Sequence, residues 1–103
     1  MAVVTLTEYA RLASDAGGTL LPMVDESSLV TTQTGLTSFA SSTQFGAAFG
    51  SATRFAVVTA DTACHYLVGA DPTATTSCNR LPANQMIVLA VRKGLKLAVI
   101  AAA

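Results

Sequence analysis

The chain has 103 residues, of which 51% are apolar and only 12% charged, and its six basic and six acidic side chains give a formal net charge of zero. That length is one domain, and high hydrophobicity with little charge excludes a disordered chain. The zero balance, without a basic stripe, excludes a nucleic-acid binder held by its electrostatic footprint. A surface so short of charge must be built from Ser, Thr, Ala, Asn and Gln. Such a surface repels neighbours weakly and favours association. The composition fits a subunit packed against other proteins, or a neutral monomer.

Read along the chain, short strands alternate with turns at intervals of roughly ten residues, the pattern of a sandwich or barrel. Val3 to Leu6 reads as a strand, although Thr5-Leu6-Thr7-Glu8 also matches a helix capping box. As a strand, Val4, Leu6, Ala10 and Leu12 fit one face and Glu8 is the exception. Asp15-Ala16-Gly17-Gly18 is a strong turn, after which Thr19 to Val24 returns as a hairpin partner. Asp25-Glu26-Ser27-Ser28 is a solvated turn, and Leu29 to Thr34 a Thr- and Val-rich strand.

Thr37 to Ala52 is mostly Ser, Ala and Gly, punctuated by Phe39, Phe45 and Phe49. It reads as a strand plus loop, or as an extended loop or arm (37–52) that orders on assembly. Arg54 to Thr59 and Ala63 to Val68 form an antiparallel hairpin through Ala60-Asp61-Thr62. Two turns follow, around Pro72 and Pro82. Gln85 to Val91 is a strand apolar on both faces, Arg92-Lys93-Gly94 turns the chain, and Leu95 to Ala101 is the last strand. The expected fold is all-β: a small antiparallel β-sandwich or jelly-roll-like barrel in one domain, residues 1–103.

Groups that could carry chemistry are sparse. The single histidine, His65, has Asp61 four residues before it, but in a strand the two are offset. Cys64 and His65 are adjacent and so point to opposite faces, which argues against a Cys–His dyad or a shared metal site. Asp25 and Glu26 read as solvated. Gly46 to Gly50 has the G-x-x-x-G spacing without the apolar membrane helix that motif needs. There is no Trp, and Tyr9 and Tyr66 are the only tyrosines, too few for a sugar-stacking platform. No catalytic, cofactor or metal set is expected, and the chain reads as a non-enzyme.

Two further expectations follow. The longest apolar stretch, Leu97 to Ala103, is far short of the roughly 20 residues of a membrane span. Without a leader pattern at Met1, folding in a cytoplasm is expected, with Cys64 and Cys78 reduced unless the folded geometry bridges them. The strand Gln85 to Val91 needs cover on both faces, from the fold's own layers or from a neighbouring subunit. Phe39, Phe45 and Phe49 are the candidate interface residues, because aromatics dominate interface energetics.

Several segments together resemble small structural proteins of tailed bacteriophages and prophages: Ala52 to Val58, Asp61 to Cys64, Gly69 to Thr76, Leu81 to Asn84 and Lys96 to Ile100. The opening Thr7-Glu8-Tyr9-Ala10 is similar too. The pattern departs at the penultimate strand, where related sequences often carry a charged or aromatic residue and Ile87 to Leu89 is wholly apolar. The resemblance implies a virion component, made and folded in the bacterial host cytoplasm, that decorates or cements the capsid shell. Its partners would be the major capsid protein or other virion proteins, with symmetric self-association (a trimer would suit such sites) and no nucleic acid or membrane. The alternatives are a tail, neck or fibre-attachment component, or a receptor- or carbohydrate-binding β-sandwich module.

Overall fold

The computed structural model describes residues 3–14 and 16–102. Ten strands and one short 3-10 turn follow in order: β1 (Val4–Tyr9), β2 (Leu12–Ser14), β3 (Leu20–Val24), the 3-10 turn Glu26–Ser28, β4 (Leu29–Leu36), β5 (Thr43–Gln44), β6 (Phe55–Ala60), β7 (Cys64–Gly69), β8 (Asn79–Leu81), β9 (Gln85–Ala90) and β10 (Lys96–Ala101). The first sheet has the order β4-β1-β6-β9 and the second β5-β10-β7-β8, while β2 and β3 form a separate hairpin. All pairings are antiparallel. Neither sheet closes on itself, so the fold is a sandwich and not a barrel.

Alternation builds the core. On β1, Val4 and Leu6 turn inward, on β6 Ala56, Val58 and Ala60, and on the second sheet Cys64, Tyr66, Leu97 and Val99; all are buried in one cluster. Period-two alternation on one sheet face is what a two-layer antiparallel fold requires. The register carries the same parity across the first sheet: Thr5, Thr59 and Met86 lie in one row, and Thr7, Val57 and Val88 in the next. These rows face away from the core.

The expected hairpin of Arg54–Thr59 with Ala63–Val68 does not exist. Both strands are present, but β6 lies between β1 and β9 while β7 lies between β10 and β8. Asp61 explains the separation. Its N–H donates to Val3 O (3.2 Å) and its carboxylate accepts from Val3 N–H (2.7 Å), which holds the end of β6 beside β1. The chain then crosses to the other layer, where Ala102 N–H donates to Ala63 O. Connections between the two sheets of a sandwich take this form.

The first third is strand rather than helix, and the expected return of Thr19–Val24 is made in part: β3 pairs with the short β2, whereas β1 pairs with β4 and β6. β1 runs on to Tyr9, and the turn before β3 is made at Gly18, whose φ of +86° favours glycine. Asp15 of that turn lies outside the described residues.

Candidate interaction surface

Glu8 is the least expected core residue. It is inward on β1 and 1% exposed. Thr53 Oγ–H donates to Glu8 Oε1 at 2.7 Å, Gly50 N–H donates to the same oxygen at 3.1 Å, and Gln33 Nε2–H donates to Oε2 at 2.9 Å. A buried carboxyl is tolerable only when its oxygens are hydrogen-bonded. Gln33 also donates to Ala47 O (3.0 Å), so Glu8 and Gln33 together fasten the 46–53 turn onto β1 and β4. An open cleft lies beside this site, between β4 and residues 46–50. Its floor carboxyl is already engaged by three donors, which suits a structural clamp better than a general base.

Phe39, Phe45 and Phe49, the candidate interface residues, are all buried in the sandwich core. That corrects their placement: they are not presented for a partner. The backbone shows why. Phe45 N–H donates to Leu97 O (2.9 Å), Phe49 N–H to Leu95 O (2.8 Å), and Phe39 O accepts from Ala101 N–H (2.8 Å). Residues 37–52 are thereby fastened along β10, with β5 as their one regular strand. They form the edge of the second sheet and not a free arm. Gln44 Nε2–H donates to Asp71 Oδ1 (2.8 Å) and Pro72 O (2.9 Å), and Ala74 N–H donates to Ser42 Oγ (2.8 Å), binding the loop after β7 to this segment.

The other titratable groups are dispersed. His65 Nδ1–H donates to Cys78 O at 2.9 Å, and Asp61 is engaged with Val3; no hydrogen bond joins His65 to Asp61 among the described residues. Cys64 and Cys78 are both free thiols. Burial pushes the Cys64 thiol up, while hydrogen bonds from the Thr75 backbone and then its hydroxyl hold Cys78 below its ordinary 9.0. Among the described residues no three His, Cys, Asp or Glu side chains gather as metal ligands would, and no helix is long and apolar enough to cross a membrane.

What the surface does offer is apolar. The outer face of the first sheet carries Phe55 and Val57 on β6 and Met86, Val88 and Ala90 on β9, beside the threonines of β1. Met86 is 59% exposed. A solvated sheet face ordinarily alternates to polar residues; Thr5, Thr7 and Thr59 follow that rule, whereas Phe55, Val57 and their β9 neighbours do not. Near one end, Tyr9 shares the outer row with Phe55 and is buried, its hydroxyl donating to Glu26 Oε2 at 2.9 Å. Burial first, then the bond to and charge of Glu26, keep the proton on Tyr9 above its ordinary 10.0.

The β2–β3 hairpin is hydrogen-bonded into neither sheet, although β3 comes near β9. Its Leu20 and Met23 are exposed, at 66% and 52%, as are Leu29 and Val30 where β4 begins. The base of the hairpin is polar and tight. Arg11 Nε–H donates to Asp25 Oδ2 (2.9 Å), Ser27 Oγ–H and N–H donate to Asp25 Oδ1 (2.7 and 3.0 Å), and Asp25 N–H donates to Arg11 O (3.0 Å). The Ser27 hydroxyl, then its N–H, and Arg11 hold the Asp25 carboxyl below its ordinary 3.8. Sequence reading missed this surface because each exposed apolar residue sits in a strand whose neighbours are only set by pairing. The available signal was the β9 stretch, apolar on both faces.

Comparison with protein-family models, with curated proteins and with solved structures found no match for this chain.

Proposed function

We propose that this chain is a structural subunit of a tailed-bacteriophage virion, decorating or cementing the capsid shell through protein–protein contacts and carrying no catalytic activity. The single observation behind this reading is the β6–β9 part of the first sheet's outer face, where Phe55, Val57, Met86, Val88 and Ala90 lie together and Met86 is 59% exposed. The resemblance of Ala52–Val58, Gly69–Thr76 and Lys96–Ile100 to phage structural proteins supplies the virion context. A low-charge surface favours standing association over steering. Apolar burial yields about 25 cal/mol per Å², so modest contacts repeated around a shell accumulate through multivalency.

The test is the copy number of this chain relative to the major shell protein in purified particles, by quantitative mass spectrometry. A ratio near one, or a fixed simple fraction of it, is the expected result. A handful of copies per particle would move the chain to the tail or neck, and its absence from particles would overturn the virion reading.

A further inference from the structure

Four strands end the two sheets, and three of them are protected against further pairing. β5 has two residues and β8 three, too short to template a partner. β4 is long but irregular, with register shifts opposite Val4/Leu6 and Glu8/Tyr9. Short strands and bulges are the ordinary devices that blunt an edge. β9 has neither. Its six residues, Gln85-Met86-Ile87-Val88-Leu89-Ala90, pair in unbroken register with β6 and contain no charge, Gly or Pro. Among the described residues its only hydrogen-bonded neighbour strand is β6.

The free side of β9 can be read residue by residue. Val91 N–H donates to Arg54 O at 2.9 Å, in line with the β6–β9 register. Hydrogen bonding alternates along an antiparallel pair, so Leu89, Ile87 and Gln85 also turn their backbone groups to β6. Met86, Val88 and Ala90 therefore direct theirs away from β6, at the edge that no described strand bonds.

We propose that β9 pairs antiparallel with β9 of a second copy of this chain, about a two-fold axis normal to the sheet that passes beside Val88. Three observations select this occupant. In the register with Val88 opposite Val88, all three free residues bond: Val88 to its twin, and Met86 to Ala90 in each direction. The same register sets the large Met86 against the small Ala90 on the outer face, and Ile87 against Leu89 on the inner. The strand carries no charge, so nothing repels an identical partner, whereas like charges directly opposite would. A two-fold contact of this kind is self-complementary and closes. It joins the two first sheets into one of eight strands and makes their apolar outer faces continuous. The inference stands independently of the virion reading, because it concerns the purified chain.

Sedimentation over a concentration series tests it, with Val88→Lys and Val88→Glu as variants. Val88 is half-buried on the outer face, so far-UV circular dichroism should be unchanged in both. The wild type should dimerise, and each variant alone should weaken the dimer by about tenfold or more, because like charges then meet at the axis. Mixing the two variants should restore the dimer as a heterodimer. A monomer at every concentration would overturn the proposal and leave β3, which comes near β9 without bonding to it, as the cover of that edge. A dimer indifferent to both variants would overturn it equally.

Discussion

Residues 37–52 and the β2–β3 hairpin invite opposite readings, and the structure exchanges them. The first segment, rich in Ser, Ala and Gly, has the composition of an arm, yet its three phenylalanines fill the core and its backbone is fastened to β10. The hairpin, an ordinary turn-and-return in sequence, is hydrogen-bonded into neither sheet and exposes Leu20 and Met23. Composition reports what a segment is made of. Its role depends on which long-range partners receive its backbone groups. The contrast can be broken by asking how much stability each segment contributes to the isolated chain.

The largest effect belongs to Phe45→Ala. Phe45 is fully buried, and truncating a core phenylalanine costs about 3–5 kcal/mol, against about 5–15 kcal/mol for a whole domain. Urea denaturation of the isolated chain should show the midpoint fall by that loss divided by the m-value. An unchanged midpoint would restore residues 37–52 to the status of an assembly-ordered arm.

Next is Glu8→Ala. It strands the part-buried Gly50 N–H and the buried Thr53 Oγ–H, which now converge on one oxygen, at a cost of about 2–4 kcal/mol. Glu8→Gln keeps an acceptor for that pair but turns an amide NH₂ towards the NH₂ of Gln33, and should fall between. Hydrogen exchange at the Gly50 amide should accelerate in step with the loss. Slow exchange in Glu8→Ala would mean that the 46–53 turn is held by its phenylalanines alone.

How much of this was legible beforehand follows from where the information lies. The strands β6, β7, β9 and β10 are readable to within a residue or so, because Val, Ile and Phe cluster between Asp, Pro, Asn and Gly signals that are local. Their partners are not local. Nothing in Phe55–Gly69 says that the chain changes layers after Ala60; the reason lies in the hydrogen bonds exchanged between Asp61 and Val3, fifty-eight positions away, Val3 N–H donating to the Asp61 carboxylate and Asp61 N–H to Val3 O. Glu8 breaks the apolar alternation of β1 for the same reason, since its donors sit at positions 33, 50 and 53. The phenylalanines were readable as anchors, but their direction was fixed by β10, at the other end of the sequence.

A smaller, local effect is expected at the hairpin base. Asp25 titrates below its ordinary 3.8 because Ser27 and Arg11 donate to it. A carboxyl depressed in the folded state stabilises that state above its unfolded pKa, and the contribution is lost as pH falls through the folded value. The base should therefore be intact at neutral pH and loosen only below pH 3.8. Amide chemical shifts of Arg11, Ser27 and Ser28 should move in that window while those of β6 and β10 stay fixed. Movement of β6 together with the base would tie the hairpin to the sheets more closely than its hydrogen bonds do.

The smallest effect sharpens the comparison most. Leu20→Ser with Met23→Ser removes two large apolar side chains from the hairpin, as Phe45→Ala removes one from residues 37–52. Exposed side chains far from caps and networks shift stability by only about 0.5 kcal/mol in either direction. The urea midpoint of the double variant should therefore match the wild type. The hydrogen bonds of the base are made by Arg11, Asp25, Ser27 and Ser28, so the hairpin should also keep its position. Equal stability with weakened incorporation into particles would assign Leu20 and Met23 to partner contact. A midpoint loss approaching that of Phe45→Ala would instead make them packing groups, and the two segments would then differ only in degree.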